Sequence, residues 1–141
     1  MTCGFEDKSI DTGRFVLSRI NSENYQFHHI RFDCIQGEQG ELVFEPSDVE
    51  YYFEPVTIQE SGTSILKNEL ENSEDGAGQI GFQLSNDGTN EIQYGKSNYY
   101  SFQHPHEGSN QIPLFIRPRT YGNNVSSGQI MSRVKIVVMY N

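Results

Sequence analysis

The clearest alternation in the chain lies at its end. There Val134, Ile136, Val138 and Tyr140 interleave with Arg133, Lys135, Val137 and Met139. A period of two puts one set on each face of a β-strand. Gly128 opens this stretch, and a hydrophobic strand with only Asn141 beyond it implies that the final residues are held in a sheet. A second alternating run predicts a strand over 25–35. His28, Ile30, Phe32 and Cys34 share one face, with Tyr25, Phe27, His29 and Arg31 on the other. The run 112–121 sets Ile112, Leu114 and Ile116 against Phe115, Arg117 and Arg119. Pro113 and Pro118 cannot donate ladder hydrogen bonds, which predicts an edge or a bulge there.

Weaker runs predict strands over 41–45, 49–59, 79–84, 91–94 and 99–102, and an extended stretch over 9–17 broken at Gly13. Asp87-Gly88 supplies the positive φ angles of a tight hairpin between 79–84 and 91–94. Residues 60–78 carry Glu69, Glu71, Glu74 and Asp75 and end in Gly76-Ala77-Gly78. They read as a mobile connection inside one domain spanning 1–141, with room for a helical turn at 65–70. Many short strands punctuated by turn residues predict an all-β sandwich or barrel.

Composition sharpens this. The 141 residues hold one alanine (Ala77) and six leucines against twenty Val plus Ile and seventeen aromatics. Helices favour Ala and Leu, whereas pleated surfaces favour β-branched and aromatic side chains, so a mostly helical fold is excluded. The net charge of −9 argues against a duplex-binding protein and is the wrong sign for an anionic membrane surface. No nucleic-acid partner and no membrane insertion are expected. Cys3 and Cys34 form no Cys-x-x-Cys pair; alone they are compatible with buried thiols or with one disulfide.

Catalytic motifs are lacking: the chain has no nucleophile elbow, no zinc-protease helix motif and no phosphate-binding loop. An enzyme is not expected, and no cofactor is implied. His104-Pro105-His106 is a His-x-His pair that a strand would present on one side, with Glu107, His28 or His29 as a third zinc ligand. A surface loop with two solvated imidazoles is the preferred reading. Tyr51, Tyr52, Tyr99 and Tyr100 could stack a sugar ring if exposed, which makes a carbohydrate-binding sandwich the alternative function.

Cys34 closes the sequence Ile30-Arg31-Phe32-Asp33-Cys34. Gly128 is fourteenth from the C-terminus, and Val134, Ile136, Val138 and Tyr140 are eighth, sixth, fourth and second. With the stretch from Ile112 to Tyr121 and Gly81-Phe82-Gln83-Leu84-Ser85-Asn86-Asp87-Gly88-Thr89, this resembles the pilin domains of bacterial chaperone–usher fimbriae, of the type 1 and P pilus kind. The resemblance implies an incomplete immunoglobulin-like sandwich, six strands where seven are needed, completed by a donor strand from another chain. It implies a groove beside the last strand, with Gly128, Val134, Ile136, Val138, Tyr140 and the carboxylate of Asn141 engaging a periplasmic chaperone. An usher and neighbouring subunits follow as partners, with a host glycan or receptor as a further one. The expected location is the bacterial surface, reached through the periplasm.

A disulfide between Cys3 and Cys34 is implied as well, stabilising the domain by roughly 3–4 kcal/mol. An inserted strand burying four or five apolar side chains would contribute on the order of 10 kcal/mol before ordering costs. Only Met1-Thr2 precede Cys3, so the sequence as written is expected to receive a strand rather than donate one.

Overall fold

The computed structural model describes residues 2–35 and 48–139. The expected strand at 41–45, and Tyr140 and Asn141, lie outside the described residues. Among the described residues seven strands appear: β1 (Thr2–Phe5), β2 (Gln26–Ile35), β3 (Val49–Pro55), β4 (Ile80–Ser85), β5 (Tyr100–Phe102), β6 (Gly108–Thr120) and β7 (Val134–Met139). They form two antiparallel sheets, β1-β2-β6-β4 and β5-β3-β7. The resemblance implied six strands; of the seven seen here, β1 and β5 are short, at four and three residues.

The two sheets face each other across one core. Ile30, Phe32 and Cys34 of β2, Ile112, Leu114 and Ile116 of β6, and Leu84 of β4 meet Val49, Tyr51 and Phe53 of β3. The alternation in β2 and β6 thus reads out as an inner and an outer face. Aromatic rings fill the centre: Phe5 lies 5.0 Å from Phe32 and 6.0 Å from Tyr51, and Phe32 meets Phe102 edge-on at 5.0 Å.

Several expectations change. β6 is not an edge strand: it sits between β2 and β4. Its prolines are accommodated because its two neighbours overlap little. Pro113 pairs with His29 where β4 is absent, and Pro118 pairs with Phe82 beyond the end of β2. Each proline therefore stands where β6 has a partner on one side only, which obeys the edge rule locally.

The segment 60–78 is not a mobile connection. Leu66 is buried and exchanges backbone hydrogen bonds with Phe82: the Leu66 N–H donates to the Phe82 oxygen at 2.8 Å and the Leu66 oxygen accepts from the Phe82 N–H at 3.0 Å. A Cβ on Gly81 would stand 1.9 Å from the Leu66 oxygen, so only glycine admits this approach. The buried Asn68 amide donates to the oxygens of Ala77 and Gln129 and accepts from the N–H groups of Leu70 and Met131. Polarity here marks a side-chain hydrogen-bond hub, not solvation.

The stretch 9–17 forms no strand; it leads into a 3-10 segment, Leu17–Ser22, whose Ile20 packs with Ala77 and Ile80 in a second small core. Residues 91–94 contribute a single bridge, Ser85 to Glu91, and the buried Ile92 instead of a hairpin strand. Of the turn pair only Gly88 has a positive φ. Asp87 instead accepts from the N–H groups of Thr89 and Asn90, which holds its carboxyl far below the usual carboxylate range.

Candidate functional site

β7 pairs with β3 along one edge, Glu50 to Pro55 facing Val134 to Met139. Among the described residues no strand pairs with its other edge. A row of β7 backbone donors and acceptors is therefore available on that side. Beside it lies a groove of about 920 Å³. Its floor is the inner face of the four-stranded sheet, with Ile30, Leu84 and Ile116, supplemented by Leu66 and Phe82. One wall is the chain from Met131 to Ile136; the other is the segment from Phe5 to Ile10 with Thr12.

That second wall is an irregular chain laid along β2. Lys8 Nζ donates to the His29 oxygen at 2.8 Å, and Gln26 Nε2 donates to the Thr12 oxygen at 3.0 Å. Side chains thus hold it where strand pairing would otherwise do so. Phe5 and Ile10 are its apolar residues turned partly into the core. The groove closes toward Val138, which packs on the core but does not line it, and there β1 approaches β7.

At the other end a compact network fixes the chain as it enters β7. The Val56 and Thr57 N–H groups both donate to the Arg133 oxygen, and the Arg133 N–H donates to Thr57 Oγ1 at 2.6 Å. The Arg133 guanidinium makes two 2.8 Å hydrogen bonds to Glu69, and Thr57 Oγ1 donates to Glu69 Oε2 at 2.5 Å. The bonds from Arg133 and then Thr57 hold the Glu69 carboxyl below its ordinary range. Neighbouring Glu71 accepts from the Tyr121 hydroxyl at 2.7 Å, while burial pushes that phenol up to about 12. Two carboxylates of the acidic run, Glu69 and Glu71, thus hold the fold.

The structure separates the candidate groove residues. Val134 and Ile136 line the groove, and Val138 stands inward at its closed end. Gly128 does not line it. Its Cβ would stand 2.5 Å from the Ala77 nitrogen and the Gly76 carbon, and its φ is 149°. That glycine serves the docking of the 75–77 backbone, where the Gln129 N–H donates to the Asp75 oxygen at 2.7 Å. The wall from Phe5 to Thr12 escaped sequence reading; its faint signal is Ile10 isolated among polar residues. Cys3 and Cys34 stand opposite each other in β1 and β2 and are joined by a disulfide.

The tyrosines form no sugar platform, because the pleat sends neighbours to opposite sides. Tyr51 is buried, stacked 5.9 Å from Tyr100, and burial raises its phenol to about 12. Tyr52 points to the other face of β3, and Tyr99 is exposed outside any strand. The His-x-His geometry fails likewise. His104 has φ 55°, so the pair is not on an extended strand. His28 faces inward with Nε2 2.6 Å from Gln26 Oε1, while His29 faces outward against Phe27. Among the described residues no three His, Cys, Asp or Glu side chains come together as metal ligands would.

No family model matches the chain, and no curated protein matches it in sequence. Its fold does match solved structures. The P pilus rod subunit PapA superposes with a TM-score of 0.68 at 14% identity, covering 99% of this chain and 99% of that one. A subunit from a chaperone–usher pilus structure concerned with rod uncoiling superposes with a TM-score of 0.64 at 15% identity, covering 99% and 87%. The chain therefore has the β-sandwich fold of a chaperone–usher pilin.

Proposed function

We infer that this chain is a structural pilus subunit, or the pilin domain of one, that takes a β-strand from another polypeptide into the groove beside β7. One observation carries the reading: an edge strand that has no partner on one side among the described residues borders a groove opening onto the core between the sheets. A strand laid there gains backbone hydrogen bonds from β7 and places alternate apolar side chains over Ile30, Leu84 and Ile116. The role needs no catalysis and no cofactor.

In this reading residues 1–141 act as one domain. A periplasmic chaperone occupies the groove first and a neighbouring subunit later, with an usher between the two states, and the assembled fibre stands on the cell surface. Tyr140 and the Asn141 carboxylate complete the chaperone contact. A host glycan, if one is bound, is not bound by a Tyr51–Tyr100 platform, since Tyr51 belongs to the core.

Amide hydrogen exchange tests the reading. In the isolated chain, alternate β7 amides from Val134 to Met139 should exchange as exposed groups, because only every second one can face β3. Fusing an alternating Val/Thr strand to the C-terminus should protect the remaining ones and raise the melting temperature. Uniform protection of β7 in the isolated chain would overturn the proposal.

A further inference from the structure

The chain contains two Asp-Gly bonds, Asp75-Gly76 and Asp87-Gly88, and the fold treats their carboxyl groups in opposite ways. Such a bond is open to attack from within, because glycine has no Cβ to shield its nitrogen. The glycine nitrogen adds to the aspartyl Cγ and a C–N bond forms. The hydroxyl of the neutral acid then leaves with the amide proton as water. A second water reopens the cyclic imide. Opening at the former main-chain carbonyl leaves the glycine joined through the side chain as isoaspartate, with the mass unchanged and no electrons transferred.

At Asp87 each reacting group is tied. Its Oδ1 accepts from the N–H groups of Thr89 at 2.8 Å and Asn90 at 2.7 Å, and from the Ser85 hydroxyl at 3.0 Å. Its Oδ2 accepts from Asn90 Nδ2 at 2.9 Å. The attacking Gly88 N–H donates to the same Ser85 Oγ at 2.9 Å, and Ser85 is fully buried. These bonds, that from the Asn90 N–H first, keep the carboxyl ionised, whereas closure proceeds from the neutral acid. Each donor on a charged oxygen that closure must strip away slows it about tenfold.

Asp75 is exposed, and among the described residues no donor reaches its carboxyl. The Gly76 N–H donates to the Ser73 oxygen at 3.1 Å, so both glycine nitrogens are engaged and the carboxyls make the difference.

We propose that Asp75-Gly76 is a site of spontaneous isoaspartate formation in this chain, and that Ser85 and Asn90 lock Asp87-Gly88 against the same reaction. The open site lies where added backbone length is felt. Gly76 packs so closely that a Cβ there would overlap the Leu70 oxygen. The Asp75 oxygen accepts from the Gln129 N–H at 2.7 Å, and the Ala77 N–H donates to the Gln129 oxygen at 2.9 Å. Isoaspartate inserts a methylene between these two contacts and turns the Asp75 carbonyl into a carboxylate, so the pair cannot be kept. Isomerisation therefore loosens the docking of Gly128 and Gln129 ahead of β7. None of this depends on strand uptake.

The test incubates the folded chain for several weeks at neutral pH and physiological temperature, then maps its peptides by mass spectrometry that distinguishes isoaspartate. Isoaspartate at Asp75 should exceed that at Asp87 about tenfold. In urea the two bonds should isomerise at similar rates, because the difference belongs to the fold. Equal yields in the folded chain, an excess at Asp87, or the same preference in urea would each overturn the proposal. Ser85→Ala/Asn90→Ala should raise the yield at Asp87 about tenfold and leave that at Asp75 unchanged. If that variant fails to fold, Asn90→Ala alone serves, since Asn90 is exposed. An unchanged yield at Asp87 in a variant with the parental melting temperature would remove the lock. The isomerised fraction, separated by ion exchange, should exchange the Ala77 and Gln129 amides faster than the parent does, and parental rates there would refute the loosening.

Discussion

β3 and β7 lie side by side in one sheet, each with apolar side chains at alternate positions, yet their inward residues end in different states. Phe53 of β3 is 0% exposed and Tyr51 5%, whereas Val134, Ile136 and Val138 of β7 stay half-buried. β3 has hydrogen-bonded neighbours on both sides over Glu50–Tyr51; among the described residues β7 has one along its whole length. Alternation selects the face a side chain points to. What then covers that face is a property of the neighbouring chain, and for β7 the described residues leave the place beside it as a groove.

The contrast can be tested by truncating one side chain on each strand. Phe53→Ala leaves a void in a closed core and should cost about 3–5 kcal/mol in urea unfolding, whether or not a strand fills the groove. Ile136→Ala should cost only about 1–2 kcal/mol in the isolated chain, because its surroundings are already partly wet. With a strand fused into the groove the Ile136→Ala cost should rise to about 2–4 kcal/mol. Equal costs for Ile136→Ala in both forms would remove the distinction between the two strands.

The disulfide comes next in size. It joins directly opposed residues of β1 and β2 across a separation of 31, and β1 closes the groove at the Val138 end. Replacing both cysteines by serine should cost roughly 3 kcal/mol, read as a lower urea midpoint. It should also speed amide exchange in β1 before the rest of the sandwich, since among the described residues β1 pairs with β2 alone. Gly128→Ala should follow at about 1–3 kcal/mol, from its clash with the 76–77 backbone and its positive φ. That loss should be the same with and without a strand in the groove, which separates Gly128 from the residues that border it.

How much of this was legible in the sequence depends on where each signal lives. The inner faces of β2, β6 and β7 were readable because period-two alternation is local. The role of Leu66 was not, since it depends on a backbone exchange with Phe82 sixteen residues away. Asn68 misled for a related reason: a polar residue reads as solvated until its four partners, from Leu70 to Met131, are brought around it. The prolines of β6 misled because the edge rule acts position by position, and overlap between neighbours cannot be seen in one strand. Of the groove, the β7 wall was visible and the wall from Phe5 to Thr12 was not. The latter is held by Lys8 and Gln26 side chains, which leave no periodic trace.

The smallest expected effect concerns the network that guides the chain into β7. Hydrogen bonds from Arg133 and Thr57 hold the folded-state pKa of Glu69 below the ordinary glutamate value near 4.5. A depressed carboxyl contributes stability above the unfolded value and loses it as pH falls through the folded one. Glu69→Gln should therefore lower the melting temperature slightly at neutral pH, by no more than about 3 °C, because the pair lies at the surface. The difference from the parent should shrink as pH drops below 4.5 and vanish once Glu69 is protonated in both states. Since Arg133 and Thr57 anchor the first residues of β7, the same variant should quicken exchange at Val134 more than at Val138. A uniform change along β7 would mean that the network stabilises the sheet as a whole and does not fix the entry of the strand beside the groove.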